Sequence, residues 1–424
     1  MWRTVLLGTL LGLASLADPV RAQRPEPPRL LDDIRFLSDD RLQDRMTGSP
    51  GADSAAAYLA RRFSQVGLQP AAGGWFQSFT VGREAPAARP SQIGSVVGKN
   101  VVGILPGRDP VLRNQTIVLG AHYDHLGLGG FGSLDPDSTG LVHNGADDNA
   151  SGAAALIQVA ARLAASPPAR TVVFIAFSGE ELGLLGSAHY VKQPIYPLAS
   201  TLAMINLDMV GRLRNGRLIV YGARSAKEFP ALLDSLNWYA GFDLKALGDG
   251  YGPSDHSSFY VAKRPVLHLF TDLHEDYHRT TDDWQKVNYD GLKRVADFSL
   301  GLVTALANRT KPLTFMELGA PAVSQTEAAS PGTPGYGAYL GTVPDMTGSP
   351  GGVRLVGVRA GSPAEKAGLR GDDIITRIGS TETPDLQAMT DALRSHKPGE
   401  VVDILVRRGA RVTTLQATLG IRGG

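Results

Sequence analysis

From residue 100 to residue 307, short runs rich in β-branched residues alternate with longer stretches of helical periodicity, and this alternation restricts the chain to folds in which helices cover a central sheet. Residues 100–105, 116–121, 171–177, 202–208, 217–222 and 265–271 read as strands, and residues 152–165, 228–240 and 289–307 as helices. Upstream, segment 30–68 has helical spacing broken by the turn Thr47-Gly48-Ser49-Pro50-Gly51, which predicts two more helices. The expected class is α/β, with a mixed, largely parallel central sheet and flanking helices. Near Met316 periodicity gives way to stretches such as Ser330-Pro331-Gly332-Thr333-Pro334-Gly335. This predicts a main unit over 23–312, a linker over 313–334, and a small β-rich module over 335–424 with one helix at 385–395.

The N-terminus reads Met1-Trp2-Arg3, then an apolar run over residues 5–16, then Val20-Arg21-Ala22. A basic start, a short apolar stretch and a small-residue cleavage site predict a signal peptide over 1–22. The expected location is periplasmic or extracellular. Nothing in the body approaches the roughly 20 apolar residues of a spanning helix, so no stable membrane insertion is expected after cleavage. A formal charge of +1 provides no field to gather nucleic acid. The chain has no cysteine. Disulfides and thiolate ligands are therefore excluded, and any metal must rest on His, Asp and Glu.

Those residue types gather at predicted strand ends. One run closes in Gly120-Ala121-His122-Tyr123-Asp124, where His122 and Asp124 fall on one side of an extended segment. A polar turn, Asn144-Gly145-Ala146-Asp147-Asp148-Asn149, leads into an Ala-rich helix, and its adjacent aspartates need positive charge beside them. Ser178-Gly179-Glu180-Glu181 follows the next run, Asp208 ends another, and His278 stands in Tyr277-His278-Arg279-Thr280-Thr281-Asp282-Asp283. Two histidines with several carboxylates suit a pair of hydrolytic zinc ions that share one bridging carboxylate. A carboxylate that does not ligate can then take a proton from water and pass it to the leaving amine.

In order and local pattern these blocks resemble the M28 family of two-zinc peptidases, over roughly residues 30–307. The resemblance implies a zinc-exopeptidase fold holding two Zn2+ ions bridged by Asp148. One ion takes His122 and Asp208, and the other takes Glu181 and His278. Asp124 orients His122, and Glu180 is the general base. It also implies an aminopeptidase acting on peptide substrates, exported if the signal peptide is cut, with Asp255 near the pocket; Tyr277, beside His278, reads as a further pocket residue that can hydrogen-bond the tetrahedral intermediate. Alternatives are a carboxypeptidase or dipeptidase on the same metals, a one-metal glutaminyl cyclase, or a peptide-binding protein on an inactive scaffold. Carboxylate recognition by Arg212, Arg214 or Arg279 would favour a carboxypeptidase, and the sequence does not place them. His125, His143, His189, His256, His268 and His274 read as residues on the surface or behind the ligands rather than as ligands. The glycine-rich stretch 127–132 reads as a rim or lid rather than a phosphate cradle, and Asp135-Pro136-Asp137-Ser138 lacks the closing glutamate of a calcium loop.

In the C-terminal module, Gly361-Ser362-Pro363-Ala364-Glu365-Lys366-Ala367-Gly368-Leu369 is similar to bacterial PDZ domains, with a short helix capped at Ser362. Tyr339-Leu340-Gly341 resembles their carboxylate loop. The implied partner is the C-terminus of a peptide, added to the sheet as a strand.

Overall fold

The computed structural model describes residues 29–43, 45–82, 94–130, 132–135, 137–248, 250–317, 338–345, 349, 351–359, 361–384 and 386–420. The predicted signal peptide and most of the predicted linker lie outside them. No helix of the described residues is long and apolar enough to cross a membrane.

The chain enters through α1 (Leu30–Leu37) and α2 (Pro50–Gln65). Ser49 starts α2 by accepting the Ala52 N–H on its hydroxyl, with Pro50 in the first helical turn, where its missing N–H costs nothing. The strands are β1 (Gln69–Pro70), β2 (Phe76–Val81), β3 (Val96–Leu105), β4 (Thr116–His122), β5 (Thr171–Phe177), β6 (Thr201–Leu207), β7 (Arg217–Tyr221), β8 (Asp243–Leu247) and β9 (Val266–Phe270). The helices between and after them are α3 (Gly152–Ala164), α4 (Leu185–Lys192), α5 (Phe229–Ala240), α6 (His256–Val261) and α7 (Tyr289–Asn308). These strands form one sheet in the order β1-β3-β5-β4-β6-β9-β7-β8, with β2 also on β3. Its centre, β5-β4-β6-β9, is parallel. Antiparallel joins of β3 to β5 and of β7 to β9 flank that centre.

Every residue of β4 and β5 is buried, because helices cover both faces and a strand so placed must be apolar throughout. On one face Leu156, Leu292 and Leu302 pack with Phe63 and Leu119. On the other, Tyr190, Phe259 and Tyr260 pack with Val118, Val173 and Phe177. The molecule therefore opens at the carboxyl ends of the central strands. Because β4 pairs with β5 on one side and with β6 on the other, the chain reverses direction of strand addition there, and a crevice forms.

Sequence periodicity missed β1, β2, β8, α4 and α6. β8 is almost wholly exposed, so burial imposes no apolar run on it. α4 begins after Leu184 in the left-handed region, without a side-chain cap, so no start signal precedes it. Contacts with the first unit continue a few residues past 312. Phe315 bridges Ala226, and the Met316 N–H donates to the Ser225 carbonyl at 2.8 Å, so the chain stays on the first unit through Met316.

The second unit is an antiparallel sheet, β10 (Thr342–Pro344), β11 (Val353–Val358), β12 (Ile374–Ile378), β14 (Val401–Arg408) and β15 (Arg411–Thr418), with β13 (Thr381–Glu382) on β12. It carries α8 (Pro363–Lys366) and α9 (Leu386–Ser395) around a core that includes Leu340, Leu355, Ile375 and Ile404. Ser362 caps α8 on the Glu365 N–H. Position 341 requires glycine, since its φ is 85° and a Cβ there would meet the Ser362 Cβ at 2.3 Å. Beyond it β10 pairs with β11 alone and forms an edge of the sheet.

Candidate metal centre

His122 is the last residue of β4. Its Nδ1 lies 3.1 Å from the Asp124 carbonyl oxygen; a carbonyl only accepts, so Nδ1 donates and Nε2 is left facing the crevice. There Nε2 stands 3.2 Å from Asp148 Oδ1 and 3.3 Å from Asp208 Oδ1. Asp124 thus meets His122 mainly through its backbone, its carboxylate being 3.7 Å from Nδ1. That carboxylate accepts instead from Thr47 Oγ1 at 3.0 Å and from the Glu180 N–H at 3.2 Å. It fixes the base of the Glu180-Glu181 segment as well as the histidine.

Asp148 comes from the polar turn after Gly145. Position 145 has φ 52°, and a Cβ there would lie 2.1 Å from the Asp148 carbonyl oxygen, so only glycine fits. The turn is held by hydrogen bonds from several elements. Asp282 Oδ2 accepts the N–H groups of Asp147 and Asp148 at 2.8 and 3.0 Å, and Asn149 Nδ2 donates to the Leu207 carbonyl at 2.9 Å. The buried Arg45 guanidinium donates to the carbonyls of Tyr123, Leu37, Asn144 and Gly145. Burial pushes Arg45 down to about 10, against the pull of the Asp148, Asp124, Asp282 and Glu181 carboxylates.

Glu181 and His278 complete the far side. His278 Nδ1 donates to the Gly132 carbonyl at 2.8 Å, which turns Nε2 toward Asp148 Oδ2 at 3.2 Å and Glu181 Oε2 at 3.4 Å. Gly132 thereby supports this histidine. Asp135 holds Arg279 at 2.7 Å and the Thr280 N–H at 2.9 Å, so its carboxylate is engaged with the His278 segment. The Tyr277 ring stacks on His278 with centroids 3.9 Å apart. Its phenol is pushed up by burial and by the Asp148 and Glu181 charges.

The two oxygens of Asp148 therefore face two different histidines. An ion with tetrahedral bonds of about 2.0–2.1 Å sets its ligand atoms roughly 3.3 Å apart, and the separations just given, 3.2 to 3.4 Å, match that spacing at both ends. Charge points the same way. Burial alone would lower His122, but the Asp208 and Glu180 carboxylates raise it well above the usual imidazole range. Burial likewise opposes His278, yet Glu181 and Asp148 lift it to about 11. Burial disfavours the charged forms of Asp148 and Glu181, but the histidines hold Asp148 well below the carboxylate range and Glu181 down at about 2. The carboxylates are thus built to face positive charge. Glu180 is the exception, pushed well above its ordinary value by burial and by Glu181, Asp208 and Asp255. With His122 and Asp208 it could also form a three-residue set for a cation.

Asp255 is fully buried, and burial raises its carboxyl to about 7; the cation-binding sets among the described residues do not include it. Tyr339, Leu340 and Gly341 belong to the second unit, beside its edge strand. The three unplaced arginines are each engaged elsewhere. Arg212 pairs with Asp276 and Asp282, Arg214 donates to the Leu273 carbonyl, and Arg279 pairs with Asp135. Sequence reasoning missed Arg45, Thr47 and Asp282 as supports. His125 Nδ1 lies 2.8 Å from Glu181 Oε1.

A parallel-centred α/β sheet with paired His-carboxylate sets at its crevice defines the zinc-exopeptidase type of architecture. Comparison with known proteins gives the family: residues 100–303 match Peptidase family M28 and residues 328–419 match the PDZ domain, so the chain carries an M28 peptidase domain joined to a PDZ domain. Aminopeptidase YwaD of Bacillus subtilis is 28% identical over 228 residues, 51% of this chain and 47% of that protein. The alkaline phosphatase isozyme conversion protein of Escherichia coli is 30% identical over 193 residues, 45% of this chain and 53% of that protein. The chain spans about half the length of the curated relatives it matches. Among solved structures, a Zn-dependent exopeptidase from Parabacteroides distasonis shares the fold with a TM-score of 0.54 at 19% identity, covering 67% of this chain and 100% of that one. The zinc aminopeptidase BSAP from Bacillus subtilis does so with a TM-score of 0.52 at 17% identity, covering 67% and 97%.

Proposed function

We propose that the protein is an exported aminopeptidase that removes N-terminal residues from peptides with two zinc ions, and that its PDZ domain binds the C-terminus of a peptide or partner. The observation that carries this reading is Asp148, whose Oδ1 and Oδ2 each lie 3.2 Å from a different histidine Nε2. His122, Asp208 and Asp148 would hold one ion; His278, Glu181 and Asp148 would hold the other. When bound, the metal pair supplies electrophilic polarisation of the scissile carbonyl and lowers the pKa of water. Glu180 takes the proton of the attacking water on its carboxylate and delivers it to the departing amine nitrogen. Asp124 keeps Glu180 in place through the Glu180 N–H, and Tyr277, packed on His278, lines the pocket with Asp255.

The engagement of Arg212, Arg214 and Arg279 with other partners leaves none of them poised for a substrate carboxylate, which favours the aminopeptidase over the carboxypeptidase reading. The test is hydrolysis of aminoacyl and N-acetylated peptides by the purified protein, with chelator and with added zinc. Chelator-sensitive release of free N-terminal residues, abolished by N-acetylation, supports the proposal. Cleavage of blocked peptides alone supports the carboxypeptidase reading, and zinc uptake without hydrolysis supports a binding protein.

Metal uptake should also release protons. In the metal-free site His122 and His278 are raised above the imidazole range, so near neutral pH they carry protons that an ion must displace. Zinc affinity should therefore rise with pH and fall as pH drops. Titration calorimetry in buffers of different ionisation enthalpy should show net proton release at pH 7; uptake without release would contradict the assignment of these histidines.

A further inference from the structure

The structure also points to a role for His125, and we infer that it is a positioning residue that sets the strength of one metal position and leaves the other nearly untouched. The inference rests on the two-metal reading above. His125 is wholly buried, with its Nδ1 2.8 Å from Glu181 Oε1. An ionised carboxylate only accepts, so Nδ1 carries the proton and donates. Among the described residues Nε2 has no hydrogen-bond partner, and the ring makes one hydrogen bond there, to Glu181.

Three surroundings fix the ring. It packs on the Gly145 turn, where a Cβ would come within 2.5 Å of its Cγ and Cδ2. It meets the His278 ring edge-on, with centroids 5.8 Å apart at 77°. Its third neighbour is Glu181 itself. By occupying Oε1, His125 leaves Oε2 as the oxygen directed at His278 Nε2, 3.4 Å away. Glu181 is thus presented through a single oxygen in a fixed orientation. His122 and Asp208, on the other side of Asp148, make no described hydrogen bond or ion pair with His125. Its nearest approach to the shared Asp148 is 3.9 Å, beyond hydrogen-bonding range.

Outer partners that orient a metal ligand are typically worth about 10–100-fold in metal affinity. His125→Leu fills the space without a donor, and His125→Asn restores an N–H close to the Nδ1 position. Equilibrium dialysis of the metal-free protein against zinc buffers, read as ions bound per chain, gives the two affinities separately. In His125→Leu one of the two should weaken by about 10–100-fold while the other changes by less than about 3-fold, and His125→Asn should recover most of the loss. Equal weakening of both ions, unchanged binding of both, or failure of His125→Asn to recover any affinity would overturn the proposal. If the wild-type protein takes up fewer than two ions, the two-metal reading falls first, and the proposal falls with it.

Discussion

Glu180→Gln should lower kcat by at least about 10²–10⁴-fold while leaving two zinc ions per chain in place. Gln matches Glu in size and can still accept or donate a hydrogen bond, but it cannot take up a proton and return it. The loss would therefore appear in turnover more than in KM. The geometry makes this substitution a test of role as well as of importance. Glu180 sits within ligand reach of His122 and Asp208, so it has the option of binding metal instead of moving protons. Its carboxyl is pushed well above the ordinary range, by burial first and then by Glu181, Asp208 and Asp255, whereas Glu181 next to it is pulled down to about 2 by the histidines in spite of burial. Two adjacent glutamates whose proton affinities are driven apart divide into a proton carrier and a charge partner. If Glu180→Gln loses one zinc, Glu180 is a ligand and the base must be sought elsewhere. Metal content by atomic absorption alongside steady-state kinetics separates the two outcomes.

The central sheet and the ring of carboxylates were legible because burial and charge leave strong traces in sequence. β4 and β5 are buried at every residue and β6 at all but one, so their sequences are mostly apolar and the polar residues at their carboxyl ends stood out. Ligand candidates such as Asp148 and Glu181 were conspicuous as adjacent acidic pairs, which are unfavourable without a cation. The supports were hidden for the opposite reason. Arg45 lies in a loop between α1 and α2 with no periodicity, and its partners are backbone carbonyls as far along the chain as Gly145, which no local pattern records. Edge elements such as β8 were missed because solvent, unlike a core, imposes no pattern on side chains. Local sequence thus reveals what must be buried or neutralised, whereas long-range backbone anchoring requires the fold.

The largest effect on stability is expected from that hidden support. Arg45→Met keeps the volume of the side chain and removes a buried guanidinium that donates to four carbonyls, those of Tyr123, Leu37, Asn144 and Gly145. Each orphaned buried acceptor costs about 1–3 kcal/mol, moderated by relaxation and entry of water, so a net loss of about 3–5 kcal/mol is expected. For a unit of this size that lowers Tm by on the order of 10 °C. Arg45→Lys should recover little of it, because an ammonium keeps the charge but cannot span the end of α1, the end of β4 and the Asn144-Gly145 turn at once. A lysine variant as stable as wild type would show that charge, not bridging, is what Arg45 supplies. The consequence for the site differs from that of His125. Arg45 holds the turn that carries Asp148, and Asp148 faces both histidines, so loosening the turn should weaken both ions together. Thermal melts with and without saturating zinc read the two effects at once. Ligand binding to the folded state stabilises in proportion to its affinity, so the zinc-dependent rise in Tm should shrink in Arg45→Met in addition to the fall of the metal-free Tm.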